Sequence, residues 1–532
     1  MVIPCWSSRA RRASASPARA PRSRRPRSTD RDLEVAAVCG IAGCWGGGDG
    51  ARCVEDTRAR MRTLRHRGPD GEGLRRLEAG VLGHTRLAIM DPAHGEQPHV
   101  SEDGRTTLVA NGEIYNQASL RARLPGHRFH SRSDTEVALH LLEERGDAGV
   151  EALDGMFALA RAAGGELLLA RDPLGIKPLY LARSPGGGVR FASEMKALQD
   201  PGDDLEEVPP GCVWSSLRGL RRYYRVPEAR AELGDAEEAA AAVRRTLERA
   251  VRKRLMSDVP LGAFLSGGLD SSAIAALAMR ELGRLHTFSV GVAGSPDLAA
   301  ARQVARHIGS DHHELVFGRD EVEAELERLI YALESFDRDL VRSAVPTFFA
   351  ARLAARHVKV VLTGEGADEL FAGYRYVRGL RGEALAAELR RSLEGMHNLN
   401  LQRVDRLTMA HGLEARVPFL DRSMVALAQR IAPELKVREV GGRRVEKWVL
   451  RRAVEDLLPQ SVVWRDKAQF DEGSGTADLL GKIAASASPP RPRLGVTPRS
   501  AEEDLYLQIF ASSFVRPQAL VPNLGRWLPG EG

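Results

Sequence analysis

Between an apolar run and a helical one the chain carries Leu265-Ser266-Gly267-Gly268-Leu269-Asp270-Ser271-Ser272, and no other stretch restricts its fold so much. The run Val259 to Leu265 reads as a short buried strand, and Ser272 to Met279 reads as the helix after it. Between them, two glycines let the backbone turn tightly against an anion. The serines add hydroxyl donors, and the helix N-terminus adds unpaired N–H groups. Asp270 is the odd member: a carboxylate here repels phosphate unless Mg²⁺ lies between them, so a metal-bridged nucleotide is expected. The string lacks the Lys of G-x-x-x-x-G-K-[ST] and does not fit G-x-G-x-x-G.

It resembles instead the pyrophosphate loop of enzymes that split ATP between the α and β phosphates and transfer AMP to a carboxylate or carbonyl. The expected nucleotide set is Leu265 through Ser272, with Val290 lining the adenine pocket, Thr363, Gly364 and Arg403. His286 to Gly291 and Val358 to Leu362 read as two further strands separated by helical stretches, which predicts a parallel sheet wound with helices. Ligands in such sheets sit beyond the C-terminal strand ends. Thr363-Gly364-Glu365-Gly366-Ala367-Asp368 follows the third strand at that edge. Asp368 is expected to join Asp270 on Mg²⁺, and Glu365 to hold a substrate ammonium or take a proton from attacking ammonia.

The N-terminal half carries a second set of strings. Cys39-Gly40-Ile41-Ala42-Gly43 is followed in order by Arg65-His66-Arg67-Gly68-Pro69-Asp70, Gly83-His84-Thr85-Arg86-Leu87, Asn111-Gly112-Glu113-Ile114-Tyr115-Asn116 and Ser133-Asp134-Thr135-Glu136. Together they resemble the N-terminal-nucleophile glutaminase domain of class II amidotransferases. The resemblance implies Cys39 as nucleophile, with Asn111 and Gly112 forming the oxyanion hole. Arg86 would hold the α-carboxylate of glutamine, and Glu113 with Asp134 its α-ammonium end. Arg67 and Asp70 are read either as part of this site or as a turn salt bridge. Alternating apolar runs at 108–110, 156–160, 167–170 and 189–192, with helices near 135–144 and 194–198, predict two stacked sheets between helices.

A thiol needs a base at neutral pH, and the free α-amine of an N-terminal Cys supplies one. Residues 1–38 are rich in Arg, Ser, Ala and Pro and lack an apolar signal segment, so they are expected to be a disordered extension or a mis-assigned start. The chain uses Arg far more than Lys, as a GC-rich coding sequence does, and Val38 read from a GTG start codon leaves Cys39 as the first residue. The net charge of +6 lies in that segment, so Cys39 to Gly532 is neutral and a nucleic-acid partner is not indicated. No run is long and apolar enough for a membrane span. The five cysteines form neither a C-x-x-C pair nor a dense framework, and a reducing, cytoplasmic setting is expected. His312-His313 suggests zinc, but with no Cys or second His cluster nearby in sequence that reading is set aside.

The C-terminal third adds Arg403, Asp405-Arg406-Leu407, Glu414-Ala415-Arg416, Glu446-Lys447 and Trp464-Arg465-Asp466-Lys467. These complete a resemblance, over about residues 39 to 520, to the glutamine-hydrolysing asparagine synthetases. It implies a glutaminase domain at 39–225 and an ATP-pyrophosphatase domain at 236–520. Lys467 would neutralise charge on the α-phosphate, Arg403 would bind pyrophosphate, and Arg416 and Asp421 would form a structural pair. Implied small molecules are glutamine, aspartate and ATP with Mg²⁺; a homodimer stays open. The segment Phe336 to Arg342 departs from the Asp-x-Thr-Thr-Ile-Arg pattern of that family, so an amidotransferase of the same mechanism acting on a sugar acid or a natural-product precursor stays open as well.

Overall fold

The computed structural model describes residues 39–47, 50–466, 470–484 and 490–527. The expectations placed on residues 1–38 and on Lys467 lie outside them. The first half holds two six-stranded antiparallel sheets. One runs in the order Asp204–Glu207, Tyr180–Arg183, Val189–Ala192, Gly40–Trp45, Gly80–Arg86, Gly71–Arg76. The other runs Gly219–Arg222, Cys212–Ser215, Glu166–Arg171, Gly155–Ala163, Thr107–Ile114, His99–Val100.

Alternation along the strands decides which face meets which layer. Ile41, Leu82 and Phe191 of one sheet meet Val109, Ala158 and Leu169 of the other, while Leu108 and Ala110 turn to the helix Glu136–Arg145. This is the stacked-sheet architecture expected from the apolar runs. The short helix expected at 194–198 is a single 3-10 turn, Met195–Ala197, because Glu194 before it is extended and its carboxylate is held by Arg67 and Lys196.

The second half opens with the helix Ala236–Arg254. The Asp235 carboxylate accepts the Glu238 N–H at its start, and Val243, Leu247, Ala250 and Val251 line its buried face. A five-stranded, wholly parallel sheet follows, in the order Asp311–Val316, His286–Gly291, Leu261–Phe264, Val360–Leu362, Glu414–Arg416. The strand order reverses direction between Leu261–Phe264 and Val360–Leu362, which is where an open α/β sheet leaves a crevice for a ligand. The first of these strands is shorter than its apolar run, since Pro260 has no N–H to give the ladder and Leu265 already bonds Phe288 beyond it. The phosphate-loop helix begins at Leu269, three residues before the sequence suggests.

Two ion-pair expectations are corrected. Arg416 and Asp421 do not pair: Arg416 bonds Glu113 and Glu414, while Asp421 takes Lys253 and Arg254. Nor do Arg67 and Asp70 form a turn bridge, since Asp70 accepts from the Ala88 N–H and Lys359. Cys44 and Cys53, at the end of a strand and in the first turn of the helix after it, are joined in a disulfide, whereas Cys39 and Cys212 are free. No helix among the described residues is long and apolar enough to cross a membrane.

Arg67 instead enters a buried ionic layer between the halves. It reaches Glu194 at 2.6 Å and Asp405 at 2.9 Å. Arg406 joins Glu334 at 3.0 Å, Lys196 joins Glu194 at 2.6 Å, Lys177 lies 3.6 Å from Asp405 and 3.5 Å from Glu414, and Arg416 joins Glu414 and Glu113 at 2.9 and 3.0 Å. Five cations thus meet five carboxylates, all of them buried. Removing one partner of such a set strands the other without water. Arg67→Met is expected to cost about 3–5 kcal/mol in urea denaturation. The exposed pair is the control: Arg319→Met, which breaks only Arg319–Glu323, should stay within about 0.5 kcal/mol of the parent. Equal losses would remove the layer's claim to hold the halves together.

Candidate functional site

At the switch point the phosphate loop closes on itself. Ser266 Oγ and Ser271 Oγ lie 3.1 Å apart, and the Ser266 and Gly268 N–H groups donate to Ser271 Oγ and Ser266 Oγ. Gly267 has φ +71°, and a Cβ there would meet Ala300 and Ala301 at 2.5 Å, so only glycine fits. Leu265 and Leu269 are buried anchors, and Ser272 lies inside the first turn, its N–H on the Gly268 carbonyl. Gly364 on the neighbouring strand end packs so closely that a Cβ would lie 2.8 Å from that of Asp270. The two loops, with Val290 and Thr363, line one cavity of about 260 Å³.

Asp270 and Asp368 converge there as expected, and the structure adds a residue that sequence reasoning left without a role. Lys447 Nζ lies 2.5 Å from Asp270 Oδ2 and 2.5 Å from Asp368 Oδ1. Its side chain is almost wholly buried, and its backbone is left-handed, with φ +54° at the start of the helix Trp448–Ala453. Two carboxylates aimed at one cationic point form a donor set that suits Mg²⁺, with Lys447 holding that point in this structure. Glu365 is ion-paired with Arg403 on the cavity wall. Behind them Glu369 accepts from Tyr374 at 2.6 Å and Asn400 at 2.9 Å, and burial, with Asp368 beside it, pushes its carboxyl up to about 7.

In the first half, Cys39 is half-buried and its thiol lies 3.7 Å from the Leu87 carbonyl. Burial, with Glu414 and Glu113 nearby, pushes the thiol up to about 12. Asn111 is fully buried, yet neither atom of its amide has a hydrogen-bond partner among the described residues. A buried amide left so is costly unless a ligand completes it. Gly112 has φ +139°, and a Cβ there would strike the Met156 carbonyl. Arg86 donates to the Asp91 and Pro92 carbonyls at 2.7 and 3.1 Å. Asp134 accepts the Ile114 N–H at 2.6 Å, and burial pushes it up to about 6; burial likewise raises Glu113 well above the usual carboxylate range.

His312 uses both ring nitrogens locally, on Thr287 and Ser289. His313, by contrast, meets His286 at 3.1 Å beside Asp311, so a second histidine does join it through strand pairing that the sequence does not display.

A family model described as asparagine synthase matches residues 242–387 and 378–493, and one described as glutamine amidotransferase domain matches residues 38–213. The chain is 42% identical over 471 residues to asparagine synthetase [glutamine-hydrolyzing] 3 of Arabidopsis thaliana, covering 84% of this chain and 80% of that protein. It is 39% identical over 518 residues to asparagine synthetase [glutamine-hydrolyzing] of Asparagus officinalis, covering 91% and 87%. Among solved structures, the glutamine phosphoribosylpyrophosphate amidotransferase from B. subtilis aligns at 22% identity and TM-score 0.31, over 46% of this chain and 64% of that one.

The Lys447 bridge carries its own test. Lys447→Met removes the ammonium that touches both carboxylates, so the melting midpoint should fall and Mg²⁺ should raise it more in this variant than in the parent, by roughly 1–2 °C for each kcal/mol recovered. Equal shifts in a thermal scan with and without Mg²⁺ would mean that the carboxylates do not share one cation.

Proposed function

The chain belongs to the glutamine-hydrolysing asparagine synthetase family, and we propose on that premise how its own residues divide the work. It is a ligase. Glutamine is hydrolysed to glutamate and ammonia, the aspartate side-chain carboxylate is activated by ATP, and ammonia displaces AMP to give asparagine. In our reading residues 39–225 carry the first reaction and residues 236–520 the second. The observation that carries it is the meeting of Asp270, Asp368 and Lys447 beside the phosphate loop in one cavity.

In the glutaminase reaction, Cys39 Sγ attacks the amide carbon of glutamine. The oxyanion is taken by the Asn111 amide, whose lack of a partner supports this role, together with the Gly112 N–H. Arg86 holds the α-carboxylate in exchange for its carbonyl partners, and Asp134 and Glu113 hold the α-ammonium. A thiol near pKa 12 is not a nucleophile at neutral pH, so the step needs the α-amine that cleavage or translation start at Cys39 would free.

In the synthetase reaction, the backbone N–H groups and hydroxyls of Ser266 to Ser272 hold the pyrophosphate end of ATP, Val290 lies by the base, and Thr363 and Gly364 close the other wall. Asp270 and Asp368 would hold Mg²⁺, which when bound neutralises phosphate charge. Carboxylate oxygen attacks the α-phosphorus and pyrophosphate departs. Lys447 faces this point and offers positive charge there, in addition to the charge that the sequence assigns to Lys467, which lies outside the described residues; Arg403 faces the leaving pyrophosphate. Glu365, released from Arg403, binds the substrate ammonium or accepts a proton from ammonia as it attacks the acyl carbon. Asp339, Leu340 and Ser343, in and beside the segment that departs from the family pattern, line the same cavity, so the acceptor is best tested on a panel of carboxylic acids monitored for pyrophosphate, with aspartate expected first. A homodimer and a cytoplasmic setting are further parts of the proposal, readable by light scattering and by the redox state of Cys44 and Cys53 in cells.

Two experiments separate the halves. Asp270→Asn and Asp368→Asn should each abolish ATP-dependent pyrophosphate release and leave glutaminase activity within about twofold of the parent; normal synthesis by either variant removes the metal-bridge assignment. Cys39→Ala should lose glutamine-dependent synthesis yet keep ammonia-dependent synthesis. The full chain should likewise be inactive with glutamine until residues 1–38 are removed, and N-terminal sequencing of an active sample should read Cys39 first. A glutamine-active form that still begins at Met1 overturns the need for a free amine.

A further inference from the structure

Away from both sites, three segments of the first half bring two imidazoles and two carboxylates together. Glu102 lies in the turn that joins the strands His99–Val100 and Thr107–Ile114. His127 lies in the loop before Asp134, and His140 and Glu143 stand one turn apart on the helix Glu136–Arg145. One ligand atom from each of the four lies within 4.8 Å of those from all the others. His140 Nδ1 is 2.9 Å from Glu143 Oε2 and 3.7 Å from Glu102 Oε2, and His127 Nδ1 is 3.4 Å from Glu102 Oε1 and 3.8 Å from Glu143 Oε2. A tetrahedral zinc with bonds of about 2.0–2.2 Å has edges of roughly 3.3–3.6 Å between its ligand atoms. The two distances from Glu143 to His127 and His140 and the two to Glu102, which meets His140 through one oxygen and His127 through the other, lie around that range, and a shift of a few tenths of an ångström brings one atom of each residue onto a common ion.

The surroundings are those of a ligand set. The other nitrogen of His127 lies 3.5 Å from Glu144, and that of His140, which makes no hydrogen bond among the described residues, has Glu136 3.9 Å away and within reach of a small ring rotation. Glu136 is in turn fixed by the His130 and Ser131 N–H groups, and Glu102 by the Arg128 N–H. Such outer carboxylates orient histidine ligands on metals. Among the described residues no lysine or arginine forms an ion pair with Glu102, Glu136, Glu143 or Glu144, so with neutral imidazoles the cluster carries an excess of negative charge that a cation offsets. His140 is fully buried, Glu143 and His127 are largely so, and Glu102 opens the site to solvent. Among the described residues the His286, Asp311 and His313 group offers three ligand atoms rather than four.

We propose that Glu102, His127, His140 and Glu143 bind a divalent transition ion of the zinc class, with one ligand atom from each residue. Bound there, the ion ties the hairpin turn and the helix to the loop that carries Asp134, and so fixes one wall of the glutamine pocket. The inference is independent of the Mg²⁺ assignment and of the start at Cys39. Its probes are ZnCl₂ and CoCl₂ added to chelator-treated full-length protein in a His313→Ala background, which removes the other histidine group. One equivalent of Co²⁺ with the intense visible absorption of four-coordinate cobalt is expected, together with a rise in melting midpoint on adding Zn²⁺. His127→Gln and Glu143→Gln, at partly exposed positions that spare the core, should each weaken binding by roughly 10–100-fold or more. Absence of binding by the parent at micromolar metal, a six-coordinate cobalt spectrum, or binding unchanged in both variants would overturn the site and leave an imidazolium–carboxylate network in its place.

Discussion

Everything between the two reacting centres rests on a balanced set of buried charges. Arg67, Lys177, Lys196, Arg406 and Arg416 are matched by Glu113, Glu194, Glu334, Asp405 and Glu414, with residues of both halves on each side of the balance. Taking ions out of water is costly, so such a layer adds little stability over an apolar interface. What it does enforce is register, because any slip of one half past the other leaves a charge without its partner. Apolar packing could tolerate the slip; this layer does not.

The layer also ends at the two sites. Arg67 donates to the Cys39 carbonyl at 3.3 Å, and Arg416 binds Glu113 through its side chain while its carbonyl accepts the Thr363 N–H at 3.0 Å. The strand Glu414–Arg416 therefore touches Glu113 on one side and, through Thr363, the phosphate-loop cavity on the other. Under the proposed division of work, ammonia released in one half has to reach the other before water dilutes it, and a rigid, register-locked contact serves that need better than a hinge.

How much of this was legible depended on whether a signal was local. The phosphate loop was, because turn, donors and helix start are contiguous in Leu265 to Ser272; so were the stacked sheets, whose strands are short continuous apolar runs because both of their faces are buried. The parallel sheet was read from three strands, and two were missed: Asp311–Val316 is mostly polar at an edge, and Glu414–Arg416 is three residues carrying two charges. A buried strand made of Glu, Ala and Arg defeats any hydrophobic pattern, since its burial depends on partners far away in sequence. The Cys44–Cys53 bond escaped notice for a related reason: a spacing of nine residues says nothing until strand and helix fold back on each other.

Charge neutralisation is the feature least legible in a linear text. The sequence places a neutralising charge at Lys467, which lies outside the described residues, and nothing in the neighbours of Lys447 marks it for a similar role. What distinguishes Lys447 is three-dimensional. Its left-handed backbone throws the side chain back from the start of its helix, and Gly373 leaves the space it needs, since a Cβ there would strike both Asp368 and the Lys447 stem. Two carboxylates in the first turns of separate helices then fix its ammonium. The same reasoning separates Arg403, which the fold places on the cavity wall beside Glu365, from Arg416, whose string looked structural and whose contacts reach both halves. A residue's charge is readable from its letter; what that charge is for depends on which opposite charges the fold brings within about 4 Å.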